Sequence, residues 1–96
     1  MKMVMITYNE AVDVEVMEAL NECGIKSYSK VVASFGKGLV SGTHMGDDIW
    51  PGRNNILYVV SEDAKAKELM SVVKKLREVL SKEGIKAFLL PIEDIT

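Results

Sequence analysis

Two unbroken apolar runs, Met3-Val4-Met5-Ile6 and Ile56-Leu57-Tyr58-Val59-Val60, punctuate this chain. They are dense in β-branched, aromatic and other apolar residues and predict strands. Each is followed by a segment in which apolar residues recur every three or four positions. Val12, Val16, Leu20 and Cys23 follow the first run, and Ala66, Leu69, Met70, Val73, Leu76 and Leu80 follow the second. That spacing predicts helices over about 11–23 and 63–83. Asn9 or Asp13 is available to cap the first helix and Asp63 the second. Lys65, Lys67, Lys74, Lys75 and Lys82 fall largely off the second apolar stripe and form a solvated face.

Both helices are predicted to end by the same device. LNECGIKSY at 20–28 and LSKEGIKAF at 80–88 align, with Gly24 and Gly84 where a helix stops in a left-handed turn and a strand begins. The order strand, helix, strand therefore occurs twice. With right-handed crossovers, this βαββαβ order predicts an α+β, ferredoxin-like domain over residues 1–96: a four-stranded antiparallel sheet with both helices on one face. A sheet face open to water would show alternation of apolar and polar residues, which neither run does. Both faces are expected to be dry, and a second copy of the chain is the simplest cover for the face without helices, so an obligate homo-oligomer is expected.

Between the second and third strands, residues 36–55 form a loop, GKGLVSGTHMGDDIWPGRNN. It holds five of the seven glycines, the only histidine, the only tryptophan and one of the two prolines. Ordinary connections run to roughly 4 to 6 residues, and loops this long are usually functional or disordered. Met45, Ile49 and Trp50 argue for docking on something.

Composition narrows the function classes. A net charge of -2 with interspersed signs gives no footprint for nucleic acid. No apolar stretch approaches the roughly 20 residues of a membrane span, and the first residues are too briefly apolar for a signal segment. A cytoplasmic protein is expected, without membrane insertion. Cys23, the single cysteine, sits on a helical apolar stripe near a C-terminus, as a buried structural thiol would. Little acid-base machinery is visible, and an enzyme is not expected. Arg53 with Asn54 or Asn55 could hold a phosphate, the residue types an acylphosphatase-like activity would need.

Three readings of the loop concern binding. His44, Asp47 and Asp48 offer imidazole and carboxylate ligands for a divalent metal, or equally the backbone bonds of an ordinary turn. Phe35-Gly36-Lys37-Gly38 could let backbone N–H groups approach an anion while the lysine adds charge, or could be a strand-end turn. Trp50 could anchor the loop or serve as a ligand platform.

Glu18-Ala19-Leu20-Asn21, then Gly24-Ile25-Lys26, Ser29 and Phe35-Gly36-Lys37 ahead of a long glycine-containing loop, resemble the PII-type nitrogen regulatory proteins. The resemblance implies a homotrimer of ferredoxin-like subunits with sheets packed around a threefold axis. It implies signalling rather than catalysis, with an adenine nucleotide or other small effector in clefts between subunits. Ser29, Phe35, Gly36 and Lys37 would lie at such a cleft, and the long loop would meet a regulated protein partner. The short Ser81-Lys82-Glu83-Gly84 connection departs from the glycine-rich phosphate loop of standard members, and HMGDDIWPG replaces their tyrosine-bearing modification motif. Weaker nucleotide binding and no uridylylation are therefore expected. The alternative is a divalent-metal-binding protein of CutA-like type using the His44 loop, although the cysteine and histidine-proline-tyrosine segments of that relative are absent.

Overall fold

A computed structural model of the chain describes residues 1–35, 53–80 and 84–96. The element order is β1 (Lys2–Asn9), a 3-10 turn (Glu10–Val12), α1 (Asp13–Glu22), β2 (Ser29–Phe35), β3 (Arg53–Ser61), α2 (Asp63–Val79) and β4 (Ile85–Pro91). The strands form one sheet in the order β2-β3-β1-β4, with every neighbouring pair antiparallel. This is the α+β, ferredoxin-like arrangement expected of the sequence.

The period of two in β1 divides its apolar run between two environments. Val4, Ile6 and Tyr8 are buried. They stand beside Val59, Leu57 and Asn55 of β3 and Leu89, Ala87 and Ile85 of β4. Val16 and Leu20 of α1 and Ala66, Leu69 and Val73 of α2 close the core over that face. Met3 and Met5 point the other way, in register with Val60 and Tyr58 on one side and Leu90 and Phe88 on the other. No helix of the described residues covers this face. Val60 is 38% exposed, Phe88 43% and Leu90 36%. Of the two faces expected to be dry, the single chain covers one.

Both glycines have the left-handed backbone expected of them, with φ of +79° at Gly24 and +62° at Gly84, but only Gly24 directly follows a helix cap, since α2 already ends at Val79 with Leu80 as its cap, and β2 starts at Ser29 rather than at Ile25. After α1, Ile25 N–H donates to Leu20 C=O at 3.0 Å and Gly24 N–H to Asn21 C=O at 3.1 Å, the paired bonds that close a helix through a left-handed glycine. Lys65 Nζ of α2 adds a bond to the Cys23 carbonyl at 2.9 Å. After α2, Gly84 C=O accepts from Asn9 N–H at 2.7 Å and so pins the start of β4 to the end of β1.

Several boundaries differ from the expectation. α1 proper begins at Asp13, and Asn9 Oδ1 accepts from Ala11 N–H at 2.9 Å to cap the preceding 3-10 turn. Glu62, not Asp63, is the cap residue of α2; Asp63 lies in its first turn and pairs with the Met1 amino group at 2.9 Å. α2 ends at Val79, because the residues after Leu80 offer no further apolar position at helical spacing. β3 begins at Arg53, so Arg53, Asn54 and Asn55, read as the end of the loop, are strand residues. Ladder hydrogen bonds hold them, Arg53 opposite Phe35 and Asn54 opposite both Ser34 and Asn9. Their polarity hid them from a search for apolar runs. No helix of the described residues is long and apolar enough to cross a membrane.

Candidate functional site

The stems of the long loop, Phe35 at the end of β2 and Arg53 at the start of β3, lie opposite each other. Ser34 Oγ donates to the Asn54 carbonyl at 3.0 Å and ties the stems together one pair further in. Between Val31 and Ser34 the β2–β3 register slips, the signature of a bulge, which bends an edge strand and re-aims its side chains.

Beside these stems is an open cleft of about 670 Å³, lined by Asn9, Glu10, Asp13, Lys30, Val32, Arg53 and Asn55 among others. Its organising group is Asp13. One oxygen, Oδ1, accepts from Tyr8 OH at 2.5 Å and Asn55 Nδ2 at 3.2 Å, and pairs with Lys30 Nζ at 2.8 Å. Asn55 and Asn9 are buried polar residues at the same end of the sheet, and the bond from Asn55 to Asp13 gives a buried amide one of the partners it requires.

Burial opposes ionisation of Asp13, but hydrogen bonds from Lys30 and Tyr8 outweigh it and hold the carboxyl below its ordinary range. Tyr8 is pushed in the opposite direction, first by burial and then by its bond to the Asp13 carboxylate. At neutral pH the cluster thus holds an ionised Asp13 carboxylate and a protonated Tyr8 phenol, and Tyr8 is no ready base or nucleophile. Cys23 is buried, and burial followed by the charge of Glu68 raises its thiol, in keeping with a structural role. The positive end of the cleft is Lys30 with Arg53; Lys30 is already paired, whereas no ion pair of Arg53 occurs among the described residues.

Of the residues expected at a ligand site, Ser29 opens β2 and Phe35 closes it. At about 3.3 Å per residue they are roughly 20 Å apart, so one chain does not bring them together. Gly36, Lys37, Trp50 and the metal candidates His44, Asp47 and Asp48 lie outside the described residues. Among the described residues, no group of three or more histidine, cysteine or acidic side chains could hold a metal ion. Arg53 and Asn55, noted in the sequence only for phosphate chemistry, do line the cleft. Asp13 and Lys30 were missed. The available signal was Tyr8, which shares the inward face with Val4 and Ile6 and whose hydroxyl needs a partner when buried.

No protein-family model and no curated relative match this sequence. Solved structures do match its fold. CPII, a nitrogen regulatory PII-like protein from Thiomonas intermedia bound to ADP, AMP and bicarbonate, superposes with a TM-score of 0.72 at 15% identity, over 99% of this chain and 92% of that one. The same protein bound to ADP, AMP and acetate gives 0.72 at 14% identity, over 99% and 88%. A protein of Thermus thermophilus grouped with the PII-like signalling proteins gives 0.65 at 18% identity, over 92% and 81%. The fold is therefore that of the PII-like signalling proteins, as the resemblance in the sequence implied.

Proposed function

We propose that this chain is a non-enzymatic, PII-like regulator that works as a homotrimer, binds a small anionic effector at the loop base and presents residues 36–52 to a partner protein. The observation that carries this reading is the polar cleft against the loop stems, with Arg53 and Lys30 on it and the Asp13 cluster beneath. Adenine nucleotides are the first effectors to try, since CPII of the same fold is bound to ADP and AMP. In the trimer the uncovered faces of three sheets pack together. Because Ser29 and Phe35 lie at opposite ends of β2, a neighbouring copy would supply what one chain does not bring together.

Regulation requires that the effector bind one arrangement of the loop more tightly than another. Arg53 is suited to that role because it sits where β3 meets the loop, so a bond from its guanidinium to a phosphate also fixes the stem. Calorimetric titration of ATP, ADP and AMP into the wild type, Arg53→Gln and Lys37→Ala tests the reading. Each variant should weaken the nucleotide by about 1 to 3 kcal/mol, the range for one charge-assisted hydrogen bond, while the oligomer survives. Absence of wild-type binding below about 1 mM would overturn the nucleotide reading.

A further inference from the structure

Two cations line the loop-base cleft, Lys30 and Arg53, and one of them is already taken. Lys30 Nζ lies 2.8 Å from Asp13 Oδ1. Strand register puts both cations on the helix side of the sheet. Lys30 stands opposite the buried Leu57, and Arg53 shares the side of β3 that carries Asn55 and Leu57, both buried. Asn55 thus sits between the two on that face, and its amide reaches Asp13 at 3.2 Å. An anion bound by Arg53 over Asn55 therefore arrives beside Asp13, and so beside the ammonium that Asp13 holds.

Asp13 can release Lys30 without being stranded. Tyr8 OH and Asn55 Nδ2 bond to the same carboxylate oxygen, so the departure of Lys30 leaves that oxygen two donors. The pair is also open to water, with 25% of the Lys30 side chain and 33% of the Asp13 side chain exposed. A part-exposed ion pair changes an equilibrium constant by no more than about a few-fold, whereas an ammonium bonded to a phosphate changes it by about tenfold or more. The phosphate wins that exchange. We infer that Asp13 sets the affinity of the cleft: it competes with the phosphate of a nucleotide for Lys30, which passes from carboxylate to phosphate on binding. The inference rests on the loop-base reading above and adds its regulation. Lys30 directly precedes the stretch between Val31 and Ser34 where β2 slips register, so the exchange unties α1 from the edge strand at the root of the loop stem.

ADP is the probe, titrated into the full chain by calorimetry. Asp13→Asn should bind it roughly threefold to tenfold more tightly than the wild type, and Lys30→Met roughly tenfold more weakly. Combining the two separates competition from plain repulsion between carboxylate and phosphate. With Lys30→Met in place, Asp13→Asn should lose most of its gain, because no ammonium remains to be freed. Glu18→Gln, which removes an exposed acid of α1 outside the cleft, should bind like the wild type. Asp13→Ser, small and neutral, takes the place of Asp13→Asn if that variant does not fold. Wild-type binding with no gain in Asp13→Asn, the same gain with and without Lys30, or an equal gain in Glu18→Gln would overturn the competition and leave the cleft standing. If neither the wild type nor Asp13→Asn binds ADP below about 1 mM, the loop-base reading itself fails and takes this inference with it.

Discussion

At Asp13, a phenol, an amide and an ammonium converge on one carboxylate oxygen, and the three donors come from β1, β3 and β2. The residue thereby fastens the first turn of α1 to three strands at the end of the sheet that carries the loop. Asp13→Asn keeps the shape but removes the charge, leaving Lys30 without its ion pair, and should destabilise the chain by about 1 to 2 kcal/mol in urea denaturation at neutral pH. The same group sets an acid dependence. Its folded-state carboxyl titrates below the ordinary value of 3.8, so folding favours the ionised form. That stability is fully present above about pH 4 and is lost as pH falls through the folded value. Wild type and Asp13→Asn should therefore draw together in stability as pH falls through the lowered folded-state value of Asp13; a difference that stays constant with pH would show that the charge is immaterial.

Elements join at the two left-handed glycines, and their surroundings differ. A Cβ added at Gly24 would meet only Lys65 Nζ, at 3.7 Å, an ordinary contact with a flexible side chain. One added at Gly84 would lie 2.9 Å from Asn9 Cβ and 3.4 Å from Asn9 N, where β4 is bonded to β1. Gly24→Ala should cost about 1 kcal/mol for the left-handed conformation alone, and Gly84→Ala at least about 1 kcal/mol more for the clash. Equal midpoints in chemical denaturation would mean that Asn9 yields freely. The positive φ of both was legible in the sequence because each precedes a turn into a strand, but as a helix stop only Gly24 was, since α2 ends at Val79, ahead of Gly84. The start of β3 was not: Arg53, Asn54 and Asn55 are held by main-chain pairing, which polar side chains do not announce. Nor was the cleft, since Tyr8, Asp13, Lys30 and Asn55 are scattered in sequence and converge only when three strands and a helix are in register.

For the molecule as a whole, the decisive feature is the sheet face without helices, where Met3, Met5, Ile56, Tyr58, Val60, Phe88 and Leu90 lie together by register. Sedimentation equilibrium should give a trimer for the wild type. Met5→Glu, which places a charge in the middle of that face, should give a monomer or an insoluble chain, because an unpaired carboxylate cannot be buried there cheaply. A wild-type monomer at micromolar concentration, or a trimer unaffected by Met5→Glu, would remove this face as the contact. The sequence by itself determined the element order, the two left-handed glycines, the fold and the excess of apolar residues over what one layer of helices can cover. These follow from local periodicity and backbone preference, which neighbouring residues express together. Only the tertiary structure decided that Asp13 gathers Tyr8, Lys30 and Asn55 at the loop base. Such juxtapositions depend on strand register and on where a helix lies across a sheet, which no short stretch of sequence encodes.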